Sequence, residues 1–500
     1  MVSRTLAAVT MLSVLALAGC GQRAQDPQPV AAPPGTPAEA VEFATGLQER
    51  ISGDAMMTHL RALQDIADAH DGNRAAGTSG YDASVDYVAE ALRAKGFEVQ
   101  TPEFDVRVFR SEPGTVSVGG TDFGARALEY SPGTSGSGVT ARLVAAPAEE
   151  SPGCTVEDYD GLDVSGAVVL VDRGRCPFGE KATVAADLGA VGVVIADNVD
   201  EERMGGTLGD DTSVTVPVVS VSKADGAQLR ARPGEATIRV QAEMRELTSR
   251  NVIAQTATGS TENVVMVGAH LDSVPEGPGI NDNGSGVAAV LETALQLGSS
   301  PPVANAVRFA FWGAEEIGLV GSQKYVESLN TEQLKDIAMY LNFDMVGSPN
   351  PGYFTYDGDQ STAFRRDEVP ARVPEGSAGI ERTLTAYLES AGMPAQDTFF
   401  DGRSDYDAFT FAGIPAGGLY SGAEGDKTEA QQQQWGGTAG EPFDPNYHRP
   451  QDNIDNIDVT SQAIQGAGVG YAVGLYSQDQ SGRNGMPVRD DRTRHEIGPS

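Results

Sequence analysis

Short apolar runs of strand length recur along this chain, separated by glycine-rich turns and by longer stretches with helical spacing. Residues 264–269 (VVMVGA), 306–312 (AVRFAFW), 339–343 (MYLNF) and 414–420 (IPAGGLY) read as strands, the second of them apolar enough to be covered on both faces. Residues 250–254 (RNVIA) add a further strand, and 97–99 and 104–108 have the same character. Helical spacing marks 55–70, 81–95 with Gly96 as its stop, a segment opening at Gly286, and 460–476. Strands alternating with helices in this way predict an α/β fold built on a largely parallel sheet.

The pattern changes near Phe109. Through Val240 the chain is rich in Gly, Val and Ala, with short strand-like runs at 139–145, 167–172, 192–196 and 214–221 and a helical segment at 178–188. This stretch interrupts the larger pattern and predicts an inserted domain. Cys154 and Cys176 flank its second run. In an exported chain the pair predicts a disulfide, worth ~3 kcal/mol for a loop of this size. A zinc site is the other reading, but this region has no histidine.

At the amino end, Arg4 precedes an apolar run from Leu6 and the sequence Leu17-Ala18-Gly19-Cys20. That layout describes an export signal rather than a spanning helix. The LAGC ending resembles the bacterial lipobox, which implies a lipid on Cys20 and a protein held at the outer face of a bacterial cell membrane; the alternative is a plain signal peptide with a chance cysteine and a secreted protein. Residues 21–44 are rich in Pro, Ala and Gln and predict a flexible tether. After Gln478 the polar, charged residues 479–500 predict a disordered tail. A formal charge of −35 argues against nucleic acid as a partner.

The chemistry concentrates where strands end. His270, Asp272 and Asp282 lie between the run at 264–269 and the helix from Gly286, the usual locus of sites in open α/β sheets. Positions two apart on an extended path face the same way, so the Asp272 carboxylate can take the second imidazole N–H of His270. Glu315 and Glu316 follow a strand directly, and adjacent carboxylates there need a cation to neutralise them. Asp344 ends the next strand; Tyr447 and His448 lie in the loop PFDPNYHRPQD. Two imidazoles and three carboxylates suit two divalent zinc-like ions, one histidine on each, with one carboxylate bridging.

Two sets of motifs resemble known families. GCTVEDYDG, VVLVDRGRCPFGEKATVAADLGAVGVVIADN and TVPVVSVSKADG resemble the protease-associated domain, which implies a lid or substrate-gating role. GAHLDS with INDNGSG, WGAEEIGLVGS, NFDMVG, DGRSDYDAF and WGGTAGEPFDPNYH are similar to the co-catalytic dizinc aminopeptidases, of the bacterial secreted leucyl aminopeptidase and aminopeptidase Y type. The resemblance implies a three-layer α/β/α peptidase domain with a mixed, parallel-cored sheet at 45–108 plus 246–478, interrupted by the inserted α/β domain at 109–245. It implies one zinc on His270 and Asp344, a second on Glu316 and His448, and Asp282 as the bridge. Glu315 would then be the general base, Asp272 the partner of His270, Tyr447 an oxyanion donor and Arg403 a substrate-side residue.

The expected partners are peptides with a free N-terminus and, through Cys20, a membrane surface; the expected assembly is a monomer. Shorter family members have cysteines bracketing the Tyr-His pair, where this chain has Asn446 and Gln451. The alternatives within the fold are a carboxypeptidase or a single-zinc glutaminyl cyclase. Outside enzymology, the alternative is a receptor-type binding module that has lost its metals.

Overall fold

The computed structural model describes residues 36–147, 153–199, 205–209, 212–362, 373–480 and 485–498. Cys20 and the export signal lie outside the described residues. Within them no helix is long and apolar enough to cross a membrane.

An eight-stranded mixed sheet organises the molecule. Its order is Glu98–Gln100, Val252–Gln255, Asn305–Trp312, Ser260–His270, Ile337–Phe343, Ala416–Tyr420, Phe354–Tyr356 and Gln396–Thr398. The middle four strands are parallel. Antiparallel joints on either side make the sheet mixed. The continuous apolar runs are explained by burial on both faces. Val265, Val267, Ala269, Phe309, Phe311, Leu341 and Phe343 enter one core, while Val264, Met266, Ala310, Trp312 and Tyr340 enter the other. Helices Gly53–Ala69, Ser79–Ala94, Gly286–Leu297 and Val459–Gln478 pack into the first core, and Val320–Glu327 and Tyr406–Phe411 into the second. This is the expected three-layer α/β/α arrangement.

The inserted segment folds as a closed barrel. Its strands run Gly114–Val118, Thr121–Ala127, Val218–Val221, Gly192–Ala196, Val168–Asp172, Val139–Ala145 and Glu235–Arg239 around the ring. The run expected at 214–221 is a strand only over its second half. Cys154 and Cys176 form a disulfide. The chain enters and leaves the barrel through an antiparallel ribbon, Glu103–Ser111 against Ala242–Arg250. Val106 on this ribbon is buried with Ala76 and Ala314, and Phe104, Leu247, Ile317 and Val320 pack around them. The stalk of the insert thus rests on the loop that carries Glu315 and Glu316.

Two expectations about the ends change. The folded part starts before residue 45: Pro37–Gln48 is a helix whose Ala40, Ala44 and Leu47 are buried. It lies so close to Val459–Gln478 that a Cβ on Gly474 would stand 2.7 Å from Ala44 Cα. The alanine content that reads as a tether supplies a small-residue contact. At the other end, residues 485–498 pack back on the sheet domain instead of trailing away. Arg492 donates to the carbonyls of Glu262 (3.0 Å) and Lys335 (2.6 Å), and Arg494 to those of Gly413 (2.6 Å) and Ile337 (3.1 Å). The His495 N–H donates to the Ala412 carbonyl at 3.0 Å. Charged residues read as solvated unless a partner is seen, and here the partners are main-chain carbonyls remote in sequence.

Deleting everything from residue 485 onward is expected to lower the thermal midpoint by ~5 °C or more, because several buried carbonyl partners and two guanidinium anchors go together. Differential scanning calorimetry of the truncated and full chains checks this; equal midpoints would mean that the segment is a passive appendage.

Candidate metal centre

Three parallel strands deliver the site. His270 is the last residue of Ser260–His270 and stands in register beside Trp312, after which Gly313 and Ala314 lead to Glu315 and Glu316. Asp344 follows the end of Ile337–Phe343. Asp282 sits in the tight turn Ile280–Ser285 that opens Gly286–Leu297. Ala314 has φ 61°, Met345 φ 57° and His448 φ 55°, left-handed conformations unusual for non-glycine residues and found here at or near the candidate ligands Glu316, Asp344 and His448.

The structure brings all five expected ligands together in two overlapping groups. His270, Asp282 and Asp344 form one, and Asp282, Glu316 and His448 the other, with ligand atoms in each within 4.8 Å of one another. His270 Nε2 lies 3.2 Å from Asp282 Oδ1 and 3.3 Å from Asp344 Oδ1. His448 Nε2 lies 3.1 Å from Asp282 Oδ2 and 3.0 Å from Glu316 Oε2. Asp282 therefore turns one oxygen to each histidine. The other carboxylate oxygen of Glu316 is buried with no hydrogen-bond partner among the described residues. A donor set of imidazole nitrogens and carboxylate oxygens with an orphaned buried oxygen fits two small divalent cations.

Crowded acids dominate the electrostatics. Burial pulls His270 down, but Glu315 and Asp344 beside it outweigh that and hold it well above its ordinary value. Burial likewise opposes the charge on His448, while hydrogen bonds to Asp282 and Glu316 push it up to about 10. Burial pushes Glu315 well above the usual carboxylate range; the nearby His270 opposes this, and Asp344 and Glu316 add to it. Crowding thus favours the protonated imidazoles and opposes the ionised forms of Glu315 and Glu316.

Asp272 stands beside His270 and also serves the glutamate loop. The acceptor nearest His270 Nδ1 is the main-chain carbonyl of Asp272 at 3.1 Å, and its carboxylate stands 3.8 Å away. The carboxylate accepts the main-chain N–H groups of Glu315 (3.1 Å) and Glu316 (3.3 Å). It fixes the loop of the two glutamates. Tyr447 stacks on His448 with ring centroids 3.8 Å apart, and burial raises its hydroxyl far above the ordinary value, so it remains a donor. Arg403 lies on the rim, paired with Glu424 at 2.8 Å and donating to the Tyr447 hydroxyl at 3.2 Å. The ligands face a cavity of about 370 Å³ whose other walls include Leu319, Met345, Tyr356, Phe399 and Tyr420.

Several supporting residues are invisible to sequence reasoning. Ser404 donates to Asp344 Oδ2 at 2.6 Å and accepts from Asn342 Nδ2 at 2.7 Å. The loop of His448, which lacks flanking cysteines, is tied down by buried polar groups. Asp452 accepts the N–H groups of Asn281 (2.8 Å) and Asp282 (3.0 Å), and Asp444 accepts from Asn281 Nδ2 (2.7 Å) and Asn456 Nδ2 (3.0 Å). The ligand loops at 280–285 and 444–456 are thereby one unit. Asp444 and Asp452 stand within five residues of His448, and that proximity is the one signal the sequence offers for them.

Comparison with known proteins agrees with this geometry. Residues 251–473 match the model of peptidase family M28, and residues 139–229 match the PA domain. The chain is 63% identical over 498 residues, 99% of each chain, to the probable lipoprotein aminopeptidase LpqL of Mycobacterium tuberculosis. It is 41% identical over 448 residues to an aminopeptidase of Pseudomonas aeruginosa strain UCBPP-PA14, covering 86% of this chain and 82% of that one. Among solved structures, an aminopeptidase from Aneurinibacillus sp. strain AM-1 superposes with a TM-score of 0.68 at 29% identity, covering 86% of this chain and 95% of that one. The zinc aminopeptidase BSAP of Bacillus subtilis does so with a TM-score of 0.62 at 28% identity, covering 87% and 98%. Near-complete coverage by such a relative, with the ligand cage at the strand ends, places this chain in peptidase family M28, carrying an inserted PA domain.

Proposed function

We propose that this protein is an exported dizinc aminopeptidase that removes the first residue, preferably hydrophobic, from peptides. The observation that carries the reading is the pair of ligand groups sharing Asp282. His270 and Asp344 would hold one ion, Glu316 and His448 the other, with Asp282 between them. Two such ions lower the pKa of a water and polarise the scissile carbonyl.

The protein's own groups do the rest. Glu315, whose Oε2 is 3.9 Å from His270 Nε2, faces the cavity without belonging to either ligand group. It accepts a proton from the attacking water and passes it to the leaving amine. The Tyr447 hydroxyl, held as a donor by burial, stabilises the negative oxygen that develops on the carbonyl. The carboxylates of Glu315 and Asp344 favour a cationic α-amine, so the substrate enters by its N-terminus. Leu319, Met345, Tyr356, Phe399 and Tyr420 give the first side chain an apolar surface. Arg403, paired with Glu424, is a poor anchor for a free C-terminal carboxylate, which favours the aminopeptidase over the carboxypeptidase reading. The LAGC sequence, with a relative named a probable lipoprotein, supports anchoring through Cys20 at the outer face of a cell membrane.

Three outcomes test this. Glu315→Gln should keep its zinc and lose ~10²–10⁴-fold in kcat on leucyl p-nitroanilide; full activity with full metal content would remove Glu315 from the proton transfers. Acetylating the N-terminus of a peptide substrate should abolish its cleavage, followed by mass spectrometry, whereas continued trimming from the C-terminus would mean a carboxypeptidase. Metal uptake should also depend on pH. Because His270 and His448 are raised in the metal-free cage, protons compete with zinc and affinity should climb from pH 6 to pH 9. Chelator competition at several pH values measures this, and a flat profile would show that the histidines are not ligands.

A further inference from the structure

Arg74 lies in the loop GNRAAGTSG between the helices Gly53–Ala69 and Ser79–Ala94, a stretch with no motif of its own. The structure buries it completely, which is rare for arginine. Its guanidinium points at the loop that joins two of the candidate ligands. Nε donates to the Pro278 carbonyl at 2.9 Å, Nη2 to the Gly279 carbonyl at 2.7 Å, and Nη1 to the Leu271 carbonyl. Its main chain pairs with the same loop: the Arg74 N–H donates to Ser273 Oγ at 2.9 Å, and the Ser273 N–H donates to the Arg74 carbonyl at 3.3 Å. The bonds therefore grip both ends of residues 271–279, one step after His270 and three steps before Asp282.

The planar fork meets three main-chain carbonyls at once, of which that of Gly279 also accepts from the Gly284 N–H at 3.0 Å, and its shape differs from that of an ammonium. The charge matters as well. Asp272, Asp452, Asp282 and Glu316 all favour the cationic form, and burial brings the guanidinium down only to about 10, so it stays charged at neutral pH. A buried cation thus lies close to the acidic cage without lining the cavity.

We propose that Arg74 is a positioning residue for the metal centre: it sets the separation of His270 and Asp282, and so the fit of the shared-ion site, through the main chain of residues 271–279. The inference rests on the dizinc reading above and adds a residue that touches neither metal nor substrate.

The test compares Arg74→Met, Arg74→Lys and a control, Arg494→Met, which removes a buried arginine that bonds carbonyls far from the site. Zinc affinity is read by competition with a chromogenic chelator, geometry by the visible spectrum of the cobalt(II)-loaded protein, and turnover on leucyl p-nitroanilide. Arg74→Met is expected to weaken zinc 10–100-fold, as losses of groups that orient ligands do, to shift the cobalt spectrum, and to lower kcat with little change in KM. Arg74→Lys keeps the charge without the fork and should fall between it and the wild type; it also serves if the methionine variant does not fold. Arg494→Met should lower the thermal midpoint and leave zinc affinity and spectrum alone. If a folded Arg74→Met or Arg74→Lys binds zinc as the wild type does, with the same spectrum, Arg74 is only a structural prop. A wild-type protein that takes up no zinc and cleaves nothing would instead overturn the peptidase reading.

Discussion

Buried carboxylates that approach one another closely repel, and a protein tolerates this only where positive charge is supplied. Here Asp282, Glu315, Glu316 and Asp344 converge on two imidazoles at the ends of parallel strands. Much of the surrounding architecture answers that single problem. The strands aim the groups at one point, and Asp272 holds the main chain of the glutamate pair. Arg74 lies against the loop as a buried cation, and Tyr447 covers His448. Like charges held this close are strained without cations and complementary with them, which makes the same crowding both a cost to the metal-free fold and the source of metal affinity.

The cage is supported by polar groups rather than by the apolar cores alone. Ser404 links Asp344 to Asn342, whose Oδ1 in turn accepts from Tyr340. Asp444, Asp452, Asn281 and Asn456 fuse the two ligand loops. Each of these groups is buried and bonded, so each loss would leave an unsatisfied partner, which is how such networks define one geometry. The insert takes part too, since the base of its ribbon packs on the loop of Glu315 and Glu316. Asn251, just past the ribbon, accepts from the Gly313 N–H at 3.0 Å and donates to the Gly321 carbonyl at 2.9 Å, closing that loop at both ends.

The central strands were legible because they are buried on both faces and so read as unbroken apolar runs, and His270, Glu316 and Asp344 because they follow those runs closely, whereas Asp282 and His448 lie in loops away from strand ends and were legible through the motifs around them. The short outer strands Phe354–Tyr356 and Gln396–Thr398 were not, since three residues carry no usable period. The terminal segments misread for a shared reason. Alanine and proline at 37–48, and arginines at 492 and 494, have the composition of unstructured chain, and only distant partners reveal their burial. Arg74 escaped notice in the same way: nothing in GNRAAGTSG announces that its guanidinium meets carbonyls some two hundred residues away. Strand spacing places the Asp272 carboxylate beside His270, where it stands 3.8 Å from Nδ1, but gives no sign of its second task, holding the main-chain N–H groups of Glu315 and Glu316.

The distribution of sulfur has a consequence for the compartments in which the molecule can work. Cys154 and Cys176 are joined inside the barrel, and Cys20 is the only other cysteine of the chain. The ligand loops are stitched by carboxylates and amides, which thiols do not attack. Among the described residues, reduction would therefore break a covalent link in the inserted domain and none in the ligand loops. No thiol lines the cavity, and the sulfur that oxidants would meet there is the thioether of Met345. Because the ribbon of the insert packs on the loop of Glu315 and Glu316, a change in redox poise would act first on the insert and reach the glutamates only through that packing.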